Sequence, residues 1–174
     1  MAGKETIYRR PNDHSDEVRS LLTIMQHREV VGERMIRLGE ELIRRGRVHD
    51  RSKLRADEFG GYVRINAAGS EHDYGSEGLN RVMREESGVI ELHKSRNSHH
   101  PEHHHDGVHS MGLLDLIEMV ADWFGAVEIY GGDIDESYIV MLKRFKFSDG
   151  QRWVIDRMIE IWKDDSKGDH SEEE

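Results

Sequence analysis

Ile24, Val31, Met35, Leu38 and Leu42 recur at spacings of seven, four, three and four. That spacing places them on one face of a helix. The spacing predicts a helix from Asp13 or Ser15 to about Arg45. Gly46 is the expected stop, because glycine accepts the left-handed conformation that follows a helix. Nothing downstream alternates with the period of a strand, and no repeat is present. Ser52 or Asp57 is expected to open a second helix holding Phe59, Tyr62, Val63 and Ile65. Residues 67–78 are rich in turn formers and read as a loop. A third helix is expected over about 78–96, with Leu79, Val82, Met83, Glu86, Val89, Ile90 and His93 on its inward side. Leu113 to about Tyr130 is the clearest core helix, closed by Gly131-Gly132. Asp133 with Glu136, and Ser148 with Gln151, form capping-box patterns that open two more. The expected fold is all-α, a bundle of five to six helices. It occupies a single domain over 13–163, between a lead-in at 1–12 and an acidic, disordered tail at 164–174.

A chain of 174 residues can bury a core without a staple. It has no cysteine, which excludes disulfides, thiolate zinc sites and cysteine nucleophiles. A net charge of -10 argues against strong nucleic-acid binding, which needs a positive surface. Arg44-Arg45-Gly46-Arg47 is a local basic exception. No apolar run reaches the length of a membrane span, and the start of the chain lacks the apolar stretch of a signal peptide. A soluble, cytoplasmic protein with no membrane partner is expected.

The chemistry-bearing residues follow the order His27, His49-Asp50, His93, His99-His100, Asp122. Imidazole and carboxylate are good ligands for borderline divalent metals. His27 lies on the apolar face of the first helix, and a turn back after Gly46 would bring His49-Asp50 near it. Alone, His27 reads as an ordinary core histidine and Asp50 as a helix cap. Lys53, three residues after Asp50, suits a phosphate oxygen or is a solvated lysine. His93 faces inward with Ile90, and Asn97 extends its face. Asp115, Glu118 and Asp122 form an acidic stripe, which usually means a solvated face. Here apolar neighbours leave it little room, and a buried carboxylate must be paired or hold a metal. Beside the His-rich loop 98–111, Asn97-Ser98-His99-His100-Pro101-Glu102 is the candidate part, and His103 to His105 read as a flexible edge.

Together these residues resemble the HD-domain superfamily of metal-dependent phosphohydrolases. That superfamily is all-helical, with ligands in the order His, His-Asp, Asp and extra histidines between them in two-metal members. The similar positions are His27, His49, Asp50 and Asp122, with His93 and one of His99 or His100 as the additional pair. The motifs His-Asp-x-Ser-Lys from His49, Asn-x-His-His-Pro-Glu from Asn97 and Glu-Met-Val-Ala-Asp-Trp from Glu118 also resemble a small family of phage and bacterial proteins without assigned activity. The likeness covers roughly residues 20–125. Nucleotidase members often carry a glutamate three residues after the aspartate, where this chain has Lys53, and Glu58 or Glu86 would have to replace it. His93 also lies only six or seven residues from His99 or His100.

The resemblance implies a metal-dependent hydrolase of phosphate esters or anhydrides, with a nucleotide as the expected small-molecule partner. One or two divalent ions (Mn, Mg, Co, Fe or Zn) would be held by His27, His49, Asp50, His93, His99, His100 and Asp122. Lys53, Glu86 and His93 are the candidate catalytic residues. An alternative on the same scaffold is a di-iron oxygenase of a small alcohol or phosphonate, whose members also resemble this chain in having a lysine three residues after the aspartate. A second alternative is a non-catalytic phage accessory or binding protein. A homodimer is expected by superfamily analogy alone.

Overall fold

The computed structural model describes residues 15–73 and 75–168, with side chains up to residue 164. The expected lead-in at 1–12 and the last part of the expected tail, 169–174, lie outside the described residues. Among the described residues the chain is all-helical, with no strand. It divides into two compact units, residues 1–44 and 45–174.

The described residues of the first unit are all helical. Helix α1 runs from Ser15 to Val48 without a break, and none of its residues is buried. It therefore passes through Gly46 rather than stopping there. The left-handed backbone expected at Gly46 occurs instead at Asp50, with φ 52° and ψ 16°.

The second unit begins with the last turn of α1 and a short 3-10 helix at Arg51–Leu54. Helix α2 (Ala56–Glu71) packs on α3 (Glu77–Glu85), α4 (Ser87–Arg96) and that 3-10 turn. A loop with two further 3-10 turns leads to α5 (Leu113–Tyr130), which packs on α6 (Ile134–Arg144) and α7 (Asp149–Gly168). Residues 164–168, placed in a disordered tail by composition, continue α7.

The sequence predicts one helix over 78–96, but the structure has two, which brings the total among the described residues to seven. The break is at Glu86, with φ -95° and ψ 15°. Ser87 and Gly88 follow it, and both weaken a helix interior. The break also redirects Glu86, which pairs with Arg64 of α2.

The main core is built by α5. Leu116, Met119, Val120 and Trp123 recur at helical spacing and meet Ile134, Phe147, Ile155 and Ile159. Val120 and Ile155 are wholly buried, and burying such a side chain contributes about 1.5–3 kcal/mol. Asp115, Glu118 and Asp122 occupy another side of the same helix. Asp133 caps α6 by accepting hydrogen bonds from the backbone N–H groups of Asp135 and Glu136. The α2–α4 contact depends on Gly61: a Cβ there would lie 2.7 Å from Cγ2 of Val89. No helix among the described residues is long and apolar enough to cross a membrane.

Candidate metal centre

Asp50 lies at the middle of the site, on the tight turn between α1 and the 3-10 helix. It is the one non-glycine residue with positive φ among the described residues. Aspartate tolerates that conformation better than most side chains, and such backbone strain tends to persist where it positions a functional group. Here it sends the two carboxylate oxygens in different directions. Oδ1 approaches Nε2 of His93 at 3.1 Å and Nε2 of His99 at 3.3 Å. Oδ2 lies 2.5 Å from Nζ of Lys53 and 3.5 Å from Nε2 of His49.

The Oδ1 approaches are close but are not aligned as hydrogen bonds. Oδ1 of Asp50 and Nε2 of His93, His99 and His100 are all buried without a hydrogen-bond partner. Buried polar atoms are rarely left so. Asp50, His93, His99 and His100 each bring a ligand atom within 4.8 Å of the others. A second group, His49, His99 and Asp122, meets the same limit. A nitrogen and oxygen donor set of this kind suits Mn, Fe, Co or Zn, and nothing in it favours a soft thiophilic ion. Four inward donors with no partner are what a bound cation would satisfy, so the residues fit a metal.

Outer carboxylates orient the imidazoles. Glu58 is wholly buried. Nδ1 of His93 donates to its Oε2 at 3.0 Å, while Ser52 Oγ donates to the same oxygen at 2.8 Å and Arg96 to Oε1 at 2.7 Å. A proton on Nδ1 leaves the Nε2 lone pair free to face Asp50. Glu118 orients His49, with Oε1 3.0 Å from Nδ1. Arg45 fixes Glu118 at 2.7 Å and Asp115 at 2.5 Å. Asn97 donates to Ser52 Oγ and to the backbone oxygen of His93, so the residue one turn past His93 steadies the ring.

Electrostatics follow from these contacts. The His49 imidazole is raised to about 9, chiefly by its contact with Asp122 and against the effect of burial. Burial works to raise Asp50, but His93, His99 and Lys53 outweigh it and hold the carboxyl well below the usual range. Burial lowers His100 to about 3, helped by the neighbouring His99 and His93. Burial also pushes the Tyr62 hydroxyl up, reinforced by the charges of Asp50 and Glu58.

Of the residues singled out by sequence, the structure gathers His49, Asp50, Lys53, His93, His99, His100 and Asp122. It does not gather His27 or Glu86. His27 is exposed on α1 and is in neither group of converging donor atoms. Glu86 is engaged by Arg64. The acidic stripe is not a solvated face: Asp115 binds Arg45 and Ser98, Glu118 binds Arg45 and His49, and Asp122 meets His49. His103 and His104 are not free edges either. Their ring nitrogens donate to the backbone oxygens of Ser95 and Ser98, each at 2.7 Å, and tie the loop to the end of α4. Sequence reasoning missed the positioning roles of Glu118, Arg45 and Ser52. The only signals for them were the three- and four-residue spacing of Glu118 from its acidic neighbours and the place of Ser52 inside His-Asp-x-Ser-Lys.

The fold and site thus define an all-helical protein with a buried histidine–aspartate cluster. The chain belongs to DUF5662, a family of unknown function, whose model matches residues 16–161. No match was found among curated proteins or among solved structures.

Proposed function

We propose that this protein is a metal-dependent hydrolase of phosphate esters or anhydrides, with a nucleotide as substrate. The observation that carries the metal is the set of four buried donors without partners, Asp50 Oδ1 and the Nε2 atoms of His93, His99 and His100. The resemblance of His49-Asp50 and Asp122 to the HD-domain pattern supports the choice of reaction. A divalent cation held here would lower the pKa of a water and polarise a phosphoryl oxygen.

The chain's own groups have distinct tasks. Glu58 accepts a hydrogen bond from Nδ1 of His93, which leaves Nε2 of that ring as a donor, and Glu118 orients His49 through its Nδ1. His100 is held neutral by burial, so its Nε2 is available at neutral pH. Lys53, fixed against Asp50, offers positive charge to a phosphate oxygen as charge develops there. Glu86, engaged with Arg64, has no task in this scheme.

His99 belongs to both donor groups, and Asp50 turns one oxygen to each side. That arrangement suits two ions and keeps the di-iron oxygenase as a second reading. Metal content of protein purified without tag or chelator, against Asp50→Ala, tests both. One or two equivalents of Mn, Co or Zn, lost in the variant and accompanied by hydrolysis of nucleotide phosphates, is the expected result. Two equivalents of iron and no phosphatase activity would favour the oxygenase. No Asp50-dependent metal after reconstitution with excess Mn²⁺ or Fe²⁺ would leave a non-catalytic binding protein.

A further inference from the structure

A cavity of about 520 Å³ opens beside His49, Asp50 and Lys53. Its size falls within the ~300–1,000 Å³ of small-molecule sites. Two sets of side chains line it that the metal cluster does not use.

The first set is cationic. Arg47 and Arg51 line the cavity, and neither has an acidic partner among the described residues. This is unusual in a chain of net charge -10, where most other arginines of the second unit are paired. Arg45, Arg64 and Arg96 each hold carboxylates. Two guanidiniums that line one cavity, with no acidic partner among the described residues, make a site for an anion.

The second set is one face of α2. Phe59, Tyr62, Val63 and Asn66 line the cavity at positions i, i+3, i+4 and i+7, so they form one stripe. The stripe is not spent on the core. Phe59 is 52% exposed and Val63 49% exposed. Tyr62 is held by Lys53 over its ring at 4.8 Å and by the edge of His93 at 5.3 Å. An apolar stripe that ends in an amide and lines one cavity with two cations fits a ligand that joins a planar ring to an anion.

We propose that the Phe59–Tyr62–Val63–Asn66 face of α2, with Arg47 and Arg51, determines specificity for a ring-bearing organic phosphate, a nucleoside monophosphate being the class that fits. Phe59 and Val63 pack against the ring, Asn66 meets its polar edge, and Arg47 and Arg51 anchor the phosphate. The inference deepens the proposed hydrolase and rests on that reading for turnover, but not for binding.

The test is calorimetric titration of the full chain with AMP, ribose 5-phosphate and inorganic phosphate, each with Mn²⁺ and with EDTA. AMP is expected to bind at least tenfold tighter than ribose 5-phosphate, since ring stacking contributes on that scale. Phe59→Ala should remove the preference by weakening AMP alone. Arg51→Ala should weaken AMP and ribose 5-phosphate alike, at least fivefold, and reduce the salt dependence of both. Phe59→Leu keeps the apolar volume without the ring, and should lose most of the preference with the fold intact by circular dichroism. Equal affinity for AMP and ribose 5-phosphate, or equal weakening of both by Phe59→Ala, would overturn the proposal, as would no binding of any probe in either condition. Preference for AMP in a protein that takes up no metal would keep this inference and remove the hydrolase. Metal uptake with hydrolysis but no ring preference would do the reverse.

Discussion

Oε2 of Glu58, a wholly buried carboxylate, lies 3.0 Å from Nδ1 of His93, while Nε2 of the same ring faces Asp50 at 3.1 Å. One imidazole thus joins an outer carboxylate to the central one. Replacing the outer carboxylate should weaken the site without dismantling it. Glu58→Gln is expected to raise the dissociation constant for Mn²⁺ by about 10–100-fold, the usual effect of losing such a partner. Asp50→Ala should abolish binding. Calorimetric titration checks both, and an unchanged affinity in Glu58→Gln would mean that His93 is not a ligand.

Metal should stabilise the fold, because the donors converge only when the second unit is folded. Binding to the native state alone adds about 2.7 kcal/mol at a ligand concentration 100 times Kd. Thermal unfolding with Mn²⁺ is expected to show a raised Tm that EDTA reverses. Asp50→Asn keeps the size of the side chain and should show no metal-dependent shift. A shift of equal size in that variant would place the ion elsewhere.

His27 should be dispensable for metal. It stands on the same unbroken helix that ends just before His49. It is exposed and belongs to neither group of converging donor atoms. His27→Ala is expected to keep the metal stoichiometry and affinity of the unaltered protein. A tenfold weaker site would show that His27 reaches it by another route.

The α2–α4 junction should be sensitive to a single methyl group. Gly61→Ala gains helix propensity, but its Cβ would meet Val89 Cγ2 at 2.7 Å and Val89 Cβ at 2.9 Å. A branched side chain cannot swing away, so the expected net effect is a loss of about 1–2 kcal/mol. Urea unfolding measures it. Metal affinity should fall as well, because α2 carries Glu58 and α4 carries His93.

Alkaline stability should depend on Tyr138. Its hydroxyl is raised to about 12, first by burial and then by Asp156 beside it. The unfolded phenol ionises near 10. Below about 10 both states keep the proton, and Tyr138 adds no pH dependence. Between about 10 and 12 only the folded state keeps it, so stability falls as pH rises. Tyr138→Phe should flatten that fall by up to one proton, seen by denaturant titration at pH 9, 10 and 11. An unchanged slope would assign the loss to other groups.

The sequence by itself determined the helical class, because the three- and four-residue spacing of Ile24 to Leu42 and of Leu116 to Trp123 admits no strand. It also named most residues of the candidate site. His49, Asp50, His93, His99, His100 and Asp122 carry ligand chemistry in their side chains, and chemistry is legible without coordinates. Tertiary structure decided what depends on backbone direction and packing. Whether α1 ends at Gly46 or runs on to Val48 is one such case, because periodicity cannot locate the end of a helix that closely. The break at Glu86 turns that carboxylate toward Arg64, though the pattern of residues 78–96 reads straight through it. In sequence Glu58 is only one of two glutamates that could replace the missing one, and Glu118 only a member of the acidic stripe. Only packing α2 against α4, and placing the α5 stripe beside Arg45, put those carboxylates behind the imidazoles, because long-range contacts carry no local spacing signal.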